Sequence, residues 1–335
     1  MGLGLPERFA PHLEASRLLD GAPCVVVACS GGGDSVALLA LLAAWAAPRG
    51  LAVVAAHVAH GLRGEAGKRD ALLASRLAAE LGVPFELRPV DVKGRRRRGE
   101  SLEAAARRER YAALLALALE IGPGTLVATG HTADDQAETV LLNLHRHAGR
   151  TRGGIRAGRA DGVVRPLLPF SRAEIRAFLS SRGIAWREDE TNENEALLRN
   201  RIRRRELPAL EAASPGTAAR LARAGEAWSA RIGALDGRID AALAAEDVPL
   251  EGPWPRRLVV ALGEEAAGRL LLRAAGAAGA VPGRRQLEKA VRRLFRGEAP
   301  WAESLAGRRL SADSRVVRLA RRAAARAVAP DRLET

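Results

Sequence analysis

The sequence predicts an α/β protein, a parallel sheet with helices on both faces, followed by a mainly helical C-terminal region. Three observations carry that reading. Short apolar runs alternate with helix-period patterns as far as Leu210, which is the signature of repeated strand–helix units. The first run, Cys24–Cys29, is apolar at every position, as in a strand buried on both faces. A glycine-rich turn joins it to an apolar helix. In open α/β sheets such turns lie at the carboxyl ends of strands, where ligands bind.

The elements follow in order. Ser35–Ala47 reads as a buried helix, Leu51–Val58 as a second strand, and Glu65–Leu81 as a helix stopped by Gly82 and Pro84. Phe85–Val92 is a third strand. Ser101–Ile121 is a long helix closed by Gly122-Pro123-Gly124. Thr125–Thr129 is a fourth strand. The helix Ala133–His145 places Ala137, Val140, Leu141 and Leu144 on its buried face, with Asp135 and Glu138 off it. Arg150–Arg159, rich in Gly and Arg, reads as a mobile basic loop. Val163–Leu168 is a short strand. Ser171 and Glu174 have capping-box spacing for a helix to Arg182. Glu195–Leu210 is helical. Ala213-Ser-Pro-Gly216 then punctuates the chain, and the predicted domains are 1–213, a helical linker 214–250 carried by the long helix Thr217–Glu246, and a small domain 251–335. In the last, Gly263–Ala275 and Arg284–Phe295 are helical and Leu310–Leu319 has β character.

Composition excludes several classes. Of 335 residues, 47% are hydrophobic and 27% charged, so the chain is not disordered as a whole. The apolar run Val36–Ala47 is shorter than the ~18–20 residues a spanning helix needs, and Glu7, Arg8 and Glu14 sit where a signal peptide would be apolar. A cytoplasmic protein without membrane contact is expected. Cys24 and Cys29, on opposite faces of a strand and ~16 Å apart, cannot bond to each other. They read as packed core residues. The 53 Lys and Arg, 50 of them Arg, exceed the 39 Asp and Glu and give a net charge of +14. A polyanionic partner, nucleic acid first, is one reading; an Arg-rich solvated surface is the other.

The turn after the first strand is Ser30-Gly-Gly-Gly-Asp-Ser35. Gly31, Gly32 and Gly33 let backbone N–H groups close on phosphate oxygens, and the following helix N-terminus adds positive potential. Ser30 and Ser35 can donate hydroxyls. Asp34 is out of place in a plain anion cradle and suggests Mg²⁺ or a second reactant beside the phosphates. The turn has neither a Walker A ending nor dinucleotide spacing.

Four further segments carry chemistry. In His57-Val-Ala-His60-Gly-Leu-Arg63, His60 is placed to line the nucleotide site, although satisfied structural histidines are the plain alternative. Glu103, Arg107 and Arg110 share one helix face, either as a surface ion-pair row or to neutralise phosphates in a transition state. The preceding Arg95–Arg98 run is solvated or grips an RNA backbone. In His131-Thr-Ala-Asp134-Asp135-Gln-Ala-Glu138-Thr139, three acids exceed what capping needs and suit Mg²⁺ or a cationic substrate. Arg199-Asn200-Arg-Ile-Arg203 is a basic cluster able to contact phosphates.

The turn is spelled like Ser-Gly-Gly-x-Asp-Ser, the pattern of the PP-loop ATP pyrophosphatases. With His-x-x-His-Gly-Leu-Arg, the Glu-Ala-x-Ala-Arg-x-x-Arg-Tyr helix, His-x-x-Asp-Asp-Gln-x-Glu-Thr, Arg165-Pro-Leu-Leu, Glu188-Asp-x-Thr-Asn192 and Arg-Asn-x-Ile-Arg in that order, the segment Val25–Leu210 resembles the bacterial tRNA(Ile)-lysidine synthetases. The resemblance implies a Rossmann-like PP-loop catalytic domain over 1–213 and a tRNA-binding domain over 251–335. It implies a carbon–nitrogen ligase that joins lysine to C2 of cytosine-34 in the CAU anticodon of tRNA(Ile). The route would pass through an adenylated cytosine with release of pyrophosphate and AMP, changing decoding from AUG to AUA. ATP and Mg²⁺ would be the cofactors. Ser30 to Ser35 and His60 would hold ATP, Asp34 and Asp134 would face Mg²⁺, Asp135 and Glu138 would hold lysine, and Arg107 and Arg110 would lie at phosphates. A homodimer is compatible with the residues. A tRNA thiolase, another adenylating synthetase and a non-catalytic RNA-binding module are the alternatives; the last leaves Asp34, Asp135 and Glu138 without a task.

Overall fold

The computed structural model describes residues 4–61, 64–145, 153–187 and 198–321. The chain divides into two units between Ser229 and Ala230.

In the first unit β1 (Cys24–Ala28), β2 (Ala52–Ala59), β3 (Phe85–Pro89), β4 (Leu126–Ala128) and β5 (Val163–Val164) form a parallel sheet in the order β3-β2-β1-β4-β5. Val26 pairs with Val54 on one side and Val127 on the other. The order reverses at β1, so a crevice opens at its carboxyl end. Val25, Val26 and Val27 are fully buried, as a run without alternation requires. Helices α1 (Leu5–Ser16), α2 (Gly33–Ala46), α3 (Gly64–Glu80) and α6 (Arg172–Ser181) contribute Phe9, Leu38, Leu77 and Leu179 to one apolar layer with Val25 and Val27. Helix α4 (Leu102–Ile121) closes the other face with Tyr111, Leu114 and Leu117 against Val26, Ala56 and Val127. Helix α5 (Ala133–His145) follows β4. The expected capping box of Ser171 and Glu174 closes, and the Ser101 hydroxyl caps α4 by accepting the Ala104 N–H at 3.1 Å.

Four expectations are corrected. The last strand stops at Val164, because the Arg165 N–H turns back to the Ala157 carbonyl at 2.8 Å. The single helix expected over 195–210 is α7 (Leu198–Arg201), a π-helical turn Ile202–Glu206, and α8 (Leu207–Ala213). Pro208 has no N–H for the Arg204 carbonyl, and the wider turn relieves the clash its ring would make there. The predicted break at 213/214 is only the turn into α9 (Thr217–Ala245), with Gly216 at φ +82° and the Glu211 carboxylate accepting the N–H groups of Gly216 and Ala218. The division falls later, because α9 packs against α5 at Gly225, where a Cβ would lie 2.8 Å from Val140. The polar face of α5 is also placed differently, as described below.

The second unit holds the remainder of α9, α10 (Arg256–Ala261), α11 (Glu264–Ala277) and α12 (Arg284–Phe295). An antiparallel sheet of β6 (Trp254–Pro255), β7 (Trp301–Leu305), β8 (Arg308–Ala312) and β9 (Val316–Arg321) runs in the order β6-β9-β8-β7. Helices α11 and α12 match the expectation and α10 is an addition; the β character expected over Leu310–Leu319 falls on β8 and β9, which β6 and β7 extend into a sheet. Ile239, Trp254, Leu270, Leu305 and Leu310 lie in one core. Buried Arg256 donates to the carbonyls of Leu294, Glu298 and Asp313.

No helix among the described residues is long and apolar enough to cross a membrane. Cys24 and Cys29 are buried and free. Arg63, the first part of the basic loop (150–152), the segment Glu188–Asn192 and residues beyond Arg321 lie outside the described residues.

Candidate active site

The turn after β1 is shaped by its own serines. The Ser35 hydroxyl donates to the Gly32 carbonyl at 2.9 Å and accepts the Ser30 N–H at 3.0 Å, with the Ser30 hydroxyl 3.1 Å away. The expected hydroxyl donors are therefore first of all loop-forming groups. Gly31 sits at φ +87°, and a Cβ there would meet the Asp70 carbonyl at 3.3 Å. Gly130, after β4, approaches so closely that a Cβ would lie 2.9 Å from the backbone of Asp34. Two residues that the sequence did not single out brace the turn. The Arg187 N–H donates to the Gly31 carbonyl at 3.0 Å while its side chain pairs with Asp70, and Trp186 lies 3.2 Å from where a Gly33 Cβ would be.

Helix α5 departs from its expected orientation. Asp135, Gln136 and Glu138 are buried with Ala137 and Val140, while Leu144 is 48% exposed. Burial of these acids rests on arginines from α6, α7 and the π-helical turn. Arg172 donates to Glu138 at 2.8 Å, to Asp135 at 2.6 Å and to Asp34 at 3.4 Å. Arg199 and Arg203 also contact both Asp135 and Glu138. The Thr132 N–H and hydroxyl donate to the second Asp135 oxygen at 2.9 and 3.0 Å. Desolvation pushes both carboxyls up, but the arginines outweigh it and hold both below the ordinary range. Asp34 shows the opposite balance. Burial, with Asp135 and Asp134 nearby, raises it to about 6 against the pull of Arg172. Asp134 accepts the Arg172 N–H at 2.8 Å. Arg172 was missed, yet a signal existed: a cation at the first position of a helix opposes the macrodipole and points to an acid elsewhere.

A second group forms around Tyr111. The guanidiniums of Arg159, Arg107 and Arg110 lie 5.1, 5.2 and 5.9 Å from its ring centroid. Burial pushes the phenol up, and Arg107, Arg165 and Arg110 more than reverse that. His60 Nδ1 is buried without a hydrogen-bond partner among the described residues, and desolvation and Arg110 lower its pKa. His57 Nδ1 lies 2.9 Å from the Cys29 carbonyl, a structural contact. His131 Nδ1 meets the Thr129 hydroxyl at 3.0 Å, and burial keeps its ring neutral.

A cleft of about 1300 Å³ brings these parts together, lined by nine Lys and Arg side chains against five carboxylates. Ser30, Gly32, Gly33, Asp34, Ser35, His60, Arg107, Arg110, Asp134 and Asp135 all border it. Gly31 and Glu138 do not, and Glu138 is fully buried behind its arginines. No cluster of three or more His, Cys, Asp or Glu able to hold a metal occurs among the described residues.

The comparisons with known proteins agree with this geometry. The family model of the ATP-binding PP-loop domain matches residues 7–210. A tRNA(Ile)-lysidine synthase of Thermus thermophilus is 44% identical over 275 residues, 76% of this chain and 53% of the relative. Its counterpart in Geobacter sulfurreducens is 45% identical over 207 residues, 60% of this chain and 43% of the relative. The chain thus spans about half the length of these curated relatives. A U34-tRNA thiolase structure from Methanococcus maripaludis superposes with a TM-score of 0.54 at 17% identity, covering 65% of this chain and 76% of the other, a likeness of fold alone. With the family model covering the sheet, the serine-shaped turn and the arginine-lined cleft, the chain belongs to the PP-loop domain family.

Proposed function

We propose that this chain is a cytoplasmic ligase that uses ATP to join lysine to C2 of the first anticodon cytosine of a CAU-bearing tRNA(Ile), forming lysidine. The observation that carries the reading is the cleft, where a phosphate-binding turn, an ionised acid and an excess of arginines meet, in a chain whose curated relatives bear that name.

In the first step the cytosine O2 attacks the α-phosphate of ATP, and the bond to the β-phosphate breaks, releasing pyrophosphate. The amides of Gly31 to Gly33 and the N-terminus of α2 stabilise the charge that grows on the phosphates. In the second step a positioned carboxylate takes the proton of the lysine side-chain ammonium, and the free amine attacks C2 and expels AMP. Asp135 borders the cleft and stays ionised, so it is the acid that meets the amine. Glu138 reaches that site only through the shared arginines. Mg²⁺ fits the donor set: it binds through one or two carboxylates plus substrate phosphates, and Asp34 on the turn and Asp134 at the start of α5 border the same cleft. When bound it would neutralise phosphate charge. A thiolase reading gains nothing from Cys24 and Cys29, both buried.

The test is incorporation of radiolabelled lysine into a CAU tRNA(Ile) transcript with ATP and Mg²⁺. Label on cytosine-34, lost in Asp34→Ala, is expected. Pyrophosphate release without incorporation would overturn the lysine assignment. Asp135→Asn and Glu138→Gln should both lower kcat/KM for lysine; unchanged values in both would remove the lysine site from α5.

A further inference from the structure

Tyr111 is the only tyrosine in the chain, and it gathers guanidiniums from separate stretches: Arg107 and Arg110 from α4, and Arg159 from the β4–β5 connection. Cations this close repel one another, and an aromatic face within about 6 Å offsets part of the cost. Arg159 also pairs with Asp161. Arg107 and Arg110 have no carboxylate partner among the described residues, although Arg110 is largely buried. A buried cation without a counter-ion is unfavourable unless a ligand supplies one.

The surroundings say which anion fits. The triphosphate already has its cradle at the turn after β1. Arg107, which borders the cleft, and Arg159 are both exposed. The exposed run Arg95–Arg98 packs on the first turns of α4, with Arg108 donating to the Arg95 carbonyl at 2.8 Å and Arg95 pairing with Glu109. Glu100 and Glu109 neutralise Arg108 and Arg95 there, so the exposed cations are Arg96, Arg97 and Arg98 in the loop and Arg107 and Arg159 near Tyr111; cations spread over separate positions suit a chain of phosphates rather than one small anion.

We propose that the arginines gathered on Tyr111 bind a backbone phosphate of the RNA substrate beside the reacting nucleotide, and do not serve the phosphates of ATP. The proposal rests on the RNA-modifying reading above and adds the subsite. Tyr111 acts as a positioning residue for the guanidiniums.

The experiment measures binding of a CAU tRNA(Ile) transcript across salt concentrations and, separately, binding of ATP. Arg159→Ala and Tyr111→Leu should each weaken RNA binding about fivefold and flatten the salt slope by about one phosphate contact. Tyr111→Phe, which keeps the ring face, should bind like wild type, and ATP affinity should be unchanged in all three. An uncharged methylphosphonate beside cytosine-34 should weaken wild-type binding but add nothing to Arg159→Ala. Unaltered RNA binding and salt slope in Arg159→Ala and Tyr111→Leu would overturn the subsite while leaving the ligase reading in place. Equal losses for ATP and RNA would return these arginines to the nucleotide. A wild-type protein that binds ATP but no tRNA would overturn both.

Discussion

Arginine is concentrated twice beside the cleft, on opposite electrostatic terms. Around α5, Arg172, Arg199 and Arg203 share Asp135 and Glu138, and each carboxylate is met from several sides. Around Tyr111, Arg107 and Arg110 face an aromatic ring and have no carboxylate partner among the described residues. Both groups contain buried charge. In the first the protein supplies the counter-ions, so Glu138 is closed off behind its arginines while Asp135 still borders the cleft. In the second, Arg107 and Arg110 find no carboxylate among the described residues, so their charge is left for the ring face and solvent to offset. The same residue type thus sits in two electrostatic settings, and the partner decides which; the proposed phosphate subsite belongs to the second.

The largest effect that would break this contrast is expected at Glu138. Glu138→Gln leaves three arginines short of a counter-ion and should cost about 3 kcal/mol, or roughly 6–12 °C in Tm, by calorimetry at pH 7. Its pH dependence follows from the depressed carboxyls of Asp135 and Glu138. A folded value below the unfolded one means stability that is present above the ordinary carboxylate range and lost as pH falls through the folded value. Wild-type Tm should therefore drop on acidification below about pH 4.5, and Glu138→Gln should show a shallower drop. Equal slopes would mean that Glu138 does not titrate as a buried counter-ion. Arg203→Ala removes one of three partners and should cost about 1–2 kcal/mol in urea unfolding.

On the other side of the contrast the sign should change. Arg110→Met replaces a cation with no counter-ion among the described residues by an apolar chain of similar length and should raise stability by about 1 kcal/mol. A loss comparable to that of Arg203→Ala would mean that Arg110 is structural. Arg107→Ala, on the exposed rim, should change unfolding free energy by less than about 0.5 kcal/mol.

Much of the fold was legible. The strands β1 to β4 and the helices α2 to α5 follow from apolar periodicity and from Gly and Pro at their ends, which are local signals. The strand β7 was not read, because Trp301-Ala-Glu-Ser-Leu305 is poor in β-branched residues and pairs only because Ala306 and Gly307, both at positive φ, turn the chain back onto β8. In the candidate site the turn, His60, Arg107, Arg110, Asp134, Asp135 and Glu138 were picked from the residues alone, and all but Gly31 and Glu138 border the cleft. Arg172, Trp186 and Arg187 were not, since their partners lie far away in the chain.

The sequence by itself determined the alternation of strands and helices and the chemistry of the turn at Ser30–Ser35. Period, glycine content and capping act over a few residues and can be read without knowing the rest. Only the tertiary structure decided which charges are closed and which are open. Glu138 is buried because Arg172, Arg199 and Arg203 reach it from 34 to 65 residues away. A carboxylate is accepted inside a protein only when such partners arrive, and no local pattern announces them.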